Sequence, residues 1–139
     1  KEKKKRKFLT IDEDFLGDLD TWRKDLALDI YKNNKKLIGD NSELLTEYTQ
    51  RLLDRIIFVK ILEDRGIEHN LLEKFISGEN IYPKIFKVFK EIGGAYNGLI
   101  FNPHPVDEIN VSDTAFQKIL ENFMILPKTT MFIGSMKFQ

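Results

Sequence analysis

The stretch from Ser42 to Gly66, SELLTEYTQRLLDRIIFVKILEDRG, is the longest regular segment of the chain, and it decides the fold. Its apolar residues recur at steps of three and four, the spacing that places side chains on one face of an α-helix. From Ile56 to Leu62 only Lys60 interrupts an apolar run, so the second half of this helix has to be covered on most sides. The sequence therefore predicts a central, buried helix.

Both ends of this helix carry boundary signals. Asp40 with Glu43 three residues later, or Ser42 itself, is typical of a helix start. At the other end Gly66 follows Arg65, whose positive charge suits the negative end of a helix dipole. We expect the helix to begin and end at these positions.

A second amphipathic helix is predicted before the central one, from about Asp12 to Lys32. Its apolar positions, which include Phe15 and Trp22, repeat at steps of three and four, and acidic residues occupy its first turn. Asparagine and glycine then break the pattern, and the short connection favours an antiparallel pair of helices. Phe15 and Trp22 are expected to pack on the face of the central helix that carries Tyr48 and Leu52.

Three further elements are predicted after Gly66. A short helical segment precedes a helix that Pro83 opens and Gly93-Gly94 ends, because proline is tolerated in a first turn and glycine is common at a helix end. An ordered loop with turn-forming and aromatic residues separates this helix from the last one, which Ser112 and Asp113 cap. The short segment covers Leu71 to Ile76, the loop Ala95 to Pro105, and the last helix extends to about Phe123.

Alternating patterns typical of strands are nearly missing. We therefore predict an all-α fold, a compact bundle of about five helices around the central buried helix, with one ordered loop before the last helix. Residues 1–10 are expected to be a basic, flexible lead-in and residues 11–125 the helical domain. Residues 126–139 are expected to be an apolar tail that leads toward a further domain, and Lys1 is an unusual natural start, so we expect a longer parent protein.

Composition excludes several classes of site. The chain has 139 residues, no cysteine and two histidines, so it has neither disulfides nor a ligand set for zinc. No apolar run approaches the ~20 residues that span a bilayer, which predicts no membrane segment and a cytoplasmic protein. The 22 basic and 22 acidic residues balance overall. Six of the basic residues lie within the first seven, so the rest of the chain is mildly acidic and is not expected to bind nucleic acid through bulk charge.

No string in the sequence forms a convincing active site. Asn102-Pro103-His104-Pro105 is similar to the Asn-Pro-Pro-Tyr/Phe string of amino-methyltransferases, but the second proline and the aromatic ring are replaced, which favours a structural loop. Glu2-Lys3-Lys4 satisfies a minimal nuclease string with no aspartate upstream of it. His69 is interpreted as a surface residue of a turn and His104 as a loop residue with local hydrogen bonds. Phosphate-binding and nucleophile motifs are missing from the sequence.

Acidic residues gather along the central helix at Asp54, Glu63 and Asp64. Basic residues lie four positions away from two of the helix's acids, the spacing of supporting ion pairs, so we favour structural pairing over a metal site. The predicted pairs are Glu47 with Arg51 and Lys60 with Asp64.

Five blocks of the sequence carry a family resemblance. Three of them are Phe15 to Arg23, Gln50 to Phe58 and Leu62 to Gly66. The other two are Tyr96 to Phe101 and Ile133 to Met136. Taken in order, these blocks resemble the helical segment of type IIG restriction-modification enzymes, which join a nuclease, a helical connector, an adenine-N6 DNA methyltransferase and a target-recognition domain in one chain. The fourth block is similar to the family's Tyr-Asn-Gly-Gly-Leu-Phe with one glycine fewer, and the fifth to its Leu-Gly-Ser-Ile, although Lys137-Phe138 stands where Tyr-Glu is usual.

The resemblance implies a non-catalytic connector fragment of a phage-defence DNA methyltransferase, with or without a fused endonuclease. The parent would use S-adenosylmethionine, and Mg²⁺ where it cleaves DNA; the fragment itself is expected to hold no catalytic, cofactor or metal residue. Its implied partners are the adjacent methyltransferase and nuclease domains and, through the parent, DNA. The family-signature residues, expected to have structural roles, are Arg51, Asp54, Arg55, Glu63, Asp64, Arg65 and Gly66.

Two other hypotheses remain open. The chain is alternatively a stand-alone helical module that binds a protein partner. It also contains lysines and an arginine that are candidates for direct contact with DNA phosphates. These candidates are Lys3, Lys4, Lys5, Arg6, Lys7, Lys35 and Lys36.

Overall fold

The computed structural model describes the backbone of residues 2–125 and the side chains of residues 17–123. Within this part of the chain every regular element is helical and no strand occurs, which confirms the predicted all-α fold. The apolar tail 126–139 and the side chain of Phe15 lie outside the described residues. The five α-helices are α1 (Glu2–Asn33), α2 (Lys35–Ile38), α3 (Ser42–Asp64), α4 (Ile81–Tyr96) and α5 (Asp113–Ile125), and single 3₁₀ turns lie at Glu73–Phe75, Leu99–Phe101 and Pro105–Glu108.

Helix α3 is the centre of the bundle, as its apolar pattern predicts. Leu52, Leu53 and Ile56 are fully buried, and α3 contributes more buried residues than any other helix of the described part. Its N-cap is Asn41, whose side chain accepts a hydrogen bond from the Leu44 N–H at 3.0 Å, so the predicted Asp40 and Ser42 caps are wrong by one residue. Its end is correctly predicted, since Gly66 has a φ of 73° and turns the chain away.

Helix α1 is longer than the sequence pattern predicts. It begins at Glu2 instead of near Asp12, so the segment expected to be a flexible lead-in has helical backbone. Lysine, arginine and glutamate are good helix formers, and no glycine or proline separates this segment from the apolar part of α1. The apolar periodicity predicts only the part of α1 that has an apolar face to bury. It does not detect the N-terminal part, where the helix propensity of the residues favours the helix.

The first and third helices are antiparallel neighbours, as expected from the short connection between them. Arg23 Nε donates a hydrogen bond to Gln50 Oε1 at 2.9 Å, and the chain reverses between Asn33 and Ser42. The Trp22 ring, 4 % exposed, has a neighbour that the sequence did not indicate, because the ring of Phe123 in α5 lies 4.7 Å away in an edge-to-face arrangement.

Polar side chains connect the start of α5 to α1 and α4. Asp29 of α1 accepts hydrogen bonds from the Ser112 N–H at 3.0 Å and from the Ser112 hydroxyl at 2.5 Å. Asp113 accepts from the N–H groups of Asn80 at 3.0 Å and Ile81 at 2.8 Å, and thereby satisfies free donors at the start of α4. These contacts fix the position of α5 at the points where its chain enters the bundle.

Helix α4 extends through the glycine pair that was predicted to end it. Gly93 and Gly94 lie inside the helix, which ends at Asn97 with a φ of 53°. Asparagine tolerates this left-handed conformation better than most residues, so it replaces glycine as the terminating residue. No helix of the described residues is long and apolar enough to cross a membrane.

Candidate functional site: a loop held by Arg55

Arg55 is the most conspicuous polar residue of the core. Only 1 % of its surface is exposed, although it lies midway along the buried helix α3. Its Nε donates to the Ile100 carbonyl at 2.6 Å, and its two terminal nitrogens donate to Asp107 Oδ1 at 2.5 Å and to the Asn102 carbonyl at 3.0 Å. A buried guanidinium is tolerated only when its charge and donors are matched in this way.

The segment held by Arg55 connects α4 to α5, and we call residues 97–110 the Arg55 loop. Its first turn is Leu99–Phe101, and the Phe101 ring packs against aromatic rings of α3 and α4. The Phe101 ring centroid lies 5.5 Å from that of Phe58 and 5.9 Å from that of Phe89. A Cβ placed on Gly93 would lie only 2.6 Å from the Phe101 Cβ, so the loop approaches the α4 backbone more closely than a side chain allows.

The second turn of the Arg55 loop is organised by His104. Its Nδ1 accepts a hydrogen bond from the Val106 N–H at 3.0 Å, which leaves the proton on Nε2 in the neutral ring. Nε2 lies 2.7 Å from Glu47 Oε2 and donates to it. Asp107 Oδ2 in turn accepts from the His104 N–H at 3.0 Å, completing a reciprocal cap. The prediction that His104 is a loop residue with local hydrogen bonds is confirmed, and its side chain stabilises the second turn of the Arg55 loop.

Tyr82 of α4 provides the innermost contact to the loop. Its hydroxyl donates a hydrogen bond to the Val106 carbonyl, and both residues are buried. Burial raises the pKa of the Tyr82 phenol well above its ordinary value, because a phenolate would lose its hydration there. The hydroxyl therefore remains a donor at every physiological pH.

Arg51 also reaches the Arg55 loop, but its predicted ion pair is wrong. Its terminal nitrogen donates to the Leu99 carbonyl at 3.3 Å, while Glu47 contacts His104 instead. A spacing of four residues on a helix places the Glu47 and Arg51 side chains near each other. Each of them nevertheless contacts a residue of the Arg55 loop instead. Arg51 and Arg55 therefore both donate hydrogen bonds to backbone carbonyls of the Leu99–Phe101 turn.

The other predicted pair is present at the end of α3. Lys60 Nζ lies 2.9 Å from Asp64 Oδ1, and both side chains are almost buried, which confirms this ion pair. Glu63 Oε2 accepts a hydrogen bond from the Leu71 N–H at 3.1 Å and holds the chain that follows Gly66. Arg65, in contrast, is exposed and forms the C-cap of α3.

Burial raises the pKa of the Glu63 carboxyl above its ordinary value, although backbone hydrogen bonds and Lys60 oppose this. Glu63 Oε1 and Asp64 Oδ2 are buried and have no hydrogen-bond partner among the described residues. Within residues 17–123 no group of three or more His, Cys, Asp or Glu side chains could hold a metal ion. Glu63 and Asp64 each use one carboxylate oxygen in a structural contact, to the Leu71 N–H and to the Lys60 ammonium group.

The raised pKa of Glu63 predicts a pH-dependent stability. Because the folded protein binds the proton more tightly than the unfolded chain, the stability associated with Glu63 is greatest at low pH. It is lost as the pH rises from the unfolded pKa near 4.5 through the higher folded value. We expect Glu63→Gln, which keeps an acceptor for Leu71, to gain stability relative to the wild type across this window.

This expectation is measured by urea unfolding of the two proteins between pH 4 and pH 8. Glu68→Gln is the matched control, since Glu68 is at the surface near the same turn and contacts the hydroxyl of exposed Tyr96 at 2.5 Å. A wild-type minus E63Q difference that does not change with pH would contradict the buried-carboxylate explanation.

Asp54 belongs to a hydrogen-bond chain between α1 and α3. Gln50 receives a hydrogen bond from Arg23 and donates one to Asp54 Oδ1 at 2.7 Å. Burial is the largest influence on Asp54 and raises the pKa of its carboxyl, while the Gln50 hydrogen bond lowers it. Asp54 therefore belongs to a hydrogen-bond chain that links α1 to α3 through Gln50.

The candidate DNA-binding residues do not form one surface. Lys35 and Lys36 are exposed in α2, after the end of α1. The basic run 3–7 lies at the opposite end of α1, where the side chains are outside the described residues. About 28 residues of helix separate the two groups, which corresponds to roughly 40 Å. His69 is exposed in a turn, as predicted.

Sequence reasoning missed the residues that complete the Arg55 site. Asp107 and Phe89 contact Arg55, and Tyr82 contacts Val106 of its loop, at separations of 24 to 52 residues along the chain. Periodicity identifies Phe89 as a core residue but does not identify its neighbour. The one local signal was Asp107 three residues after His104, the spacing of a helix cap.

Comparison with known proteins adds no relative. No family model matches the sequence, and neither a curated protein nor a solved structure matches the chain.

Proposed function

We propose that the chain is the helical connector of a restriction-modification DNA adenine-N6 methyltransferase, with or without a fused nuclease. The observation that carries this proposal is the contact of Arg55 with the Ile100 and Asn102 carbonyls. Arg55 belongs to one block of the family resemblance, and Ile100 belongs to another that lies 45 residues away. Two separate resembling strings therefore meet in one structural unit, as expected if both belong to one module of that kind.

The proposed role is mechanical. Helix α3 has 23 residues and is about 35 Å long, and its covered faces make it a stiff support between modules. Arg55 fixes the Arg55 loop to this support, so a domain attached to the bundle would keep its orientation. In the parent, S-adenosylmethionine would supply the methyl group for a flipped adenine, and Mg²⁺ would serve the nuclease where one is fused. The connector's own residues would catalyse neither methyl transfer nor DNA cleavage.

The coding sequence downstream of Gln139 tests the proposal. We expect an Asn-Pro-Pro-Tyr or Asn-Pro-Pro-Phe string there, preceded by a glycine-rich turn for S-adenosylmethionine. The product of the whole reading frame should transfer labelled methyl groups from S-adenosylmethionine to adenine N6 in duplex DNA. A frame that closes near Gln139 with neither motif would overturn the connector proposal.

One observation favours the alternative of a stand-alone interaction module. Leu99 is 78 % exposed although its turn is fixed by Arg51, Arg55 and Phe101, so a rigid apolar side chain faces solvent. Rigid exposed apolar residues are common at protein–protein interfaces. A closed reading frame together with a partner whose binding is lost in Leu99→Ser would favour this alternative.

A further inference from the structure

Helix α4 carries a row of lysines on its outer face. Lys84, Lys87 and Lys90 follow one another at steps of three residues, and all three are exposed. The opposite face of α4 is buried through residues such as Ile85 and Phe89. The three ammonium groups therefore face solvent along one side of a helix that the core holds in place.

These lysines have no charged partner in the described structure. None of the three forms an ion pair with a carboxylate of residues 17–123, and this includes Glu91, which is four residues after Lys87. Three other lysines of the described residues do form ion pairs, for example Lys24, 3.1 Å from Asp20, and Lys60, 2.9 Å from Asp64. The positive charge of the row is thus available to a partner.

The charge of α4 also differs from that of the neighbouring long helices. Helix α4 contains three lysines and one glutamate, whereas α3 contains three basic and five acidic residues. Helix α5 contains one lysine and two acidic residues. The zero net charge of the whole chain hides this local excess of positive charge on α4.

The spacing of the row fits closely spaced negative charges. With a rise of 1.5 Å per residue, the three lysines span about 9 Å along the helix axis. Consecutive phosphates of one DNA strand advance by about 3.4 Å along the duplex axis, so several of them lie within reach of the row. Lys90 Nζ lies 5.8 Å from the centre of the Phe86 ring, which restrains this side chain and reduces the entropy lost on binding.

We propose that the row Lys84, Lys87 and Lys90 binds the phosphate backbone of duplex DNA. The choice of DNA over another polyanion rests on the proposed connector function. Apart from Tyr96 at its last position, α4 has no large exposed apolar residue to insert into a bilayer, which disfavours an anionic membrane. Phosphate contacts of this kind position a protein on DNA without reading its sequence, as a connector between catalytic modules requires.

The test is a fluorescence titration of a labelled 20-base-pair duplex of arbitrary sequence with the 139-residue chain at 20 to 200 mM NaCl. The variant is Lys84→Gln/Lys87→Gln/Lys90→Gln. The matched control, Lys32→Gln/Lys74→Gln/Lys118→Gln, removes the same charge from three exposed lysines that lie in α1, in the Glu73–Phe75 turn and in α5. Circular dichroism and melting temperature check that both triple variants keep the fold.

We expect the α4 variant to weaken DNA binding by about tenfold or more at low salt. The slope of log K against log salt should fall by about two to three, close to one for each lost phosphate contact. The control should stay within about twofold of the wild type.

Three outcomes would overturn the proposal: equal weakening by both triple variants, no binding by the wild type at 20 mM NaCl, or α4-dependent binding to phosphatidylserine vesicles without binding to the duplex. The reading-frame experiment is independent of this titration. A methyltransferase motif in the reading frame without DNA binding in the titration would indicate a connector that does not contact DNA. DNA binding without such a motif would indicate a DNA-binding module of another kind.

Discussion

Replacing Arg55 with Ala should lower the free energy of unfolding by about 3–5 kcal/mol. The substitution leaves the Asp107 carboxylate, whose side chain is 15 % exposed, without its main counter-charge. It also leaves the carbonyls of Ile100 and Asn102 without a donor and opens a cavity beside Phe89. Since domains of this size are stable by only about 5–15 kcal/mol, urea unfolding should show a large shift of the midpoint.

Arg51→Ala is the matched control for this experiment. Arg51 lies one turn earlier on the same helix and donates to the same loop, but only through one exposed contact of 3.3 Å to Leu99. Its loss should cost less than about 1 kcal/mol. If Arg55→Ala does not fold, Arg55→Lys keeps the charge and one donor nitrogen but loses the planar fork that reaches three acceptors, and it should give a measurable intermediate loss. An unchanged melting temperature of Arg55→Ala, combined with weaker DNA binding, would show that Arg55 is a ligand and not a support.

The difference between Arg51 and Arg55 also shows which features of the structure can be predicted from the sequence and which cannot. The apolar spacing of the central segment predicts a buried helix, and that helix necessarily brings position 55 to the interior. Local spacing cannot reveal that an arginine at such a position finds Asp107, because the partner lies 52 residues away in a loop without periodicity. The existence of the helices was thus predictable, whereas the polar contacts that hold the loop were not.

The errors at helix ends have a related cause. Glycine signals a helix end when the chain needs a positive φ, but it also occurs where two backbones approach closely. Gly66 is of the first kind, with a φ of 73°, and Gly93 is of the second kind. Only the position of Phe101, eight residues after Gly93, distinguishes the two uses. The sequence pattern does not reveal that Phe101 lies so close to the backbone of Gly93.

Gly93→Ala and Gly94→Ala should therefore change stability in opposite directions. Both glycines lie inside α4, where alanine is the better helix former by about 1 kcal/mol. At Gly94 an added Cβ meets nothing within 4 Å, so Gly94→Ala should stabilise the protein by about 0.5–1 kcal/mol. At Gly93 the added Cβ would lie 2.6 Å from the Phe101 Cβ, which is attached to the backbone and cannot rotate away.

For Gly93→Ala the helix or the Arg55 loop has to move, and a net loss of about 1–3 kcal/mol is expected. The movement would also disturb the Arg55 hydrogen bond to Ile100, the residue before Phe101. Combining Gly93→Ala with Arg55→Ala should therefore cost less than the sum of the single changes, since a loop displaced by one substitution has less to lose from the other. Full additivity in a double-mutant cycle would mean that the glycine contact and the arginine contacts stabilise the loop independently.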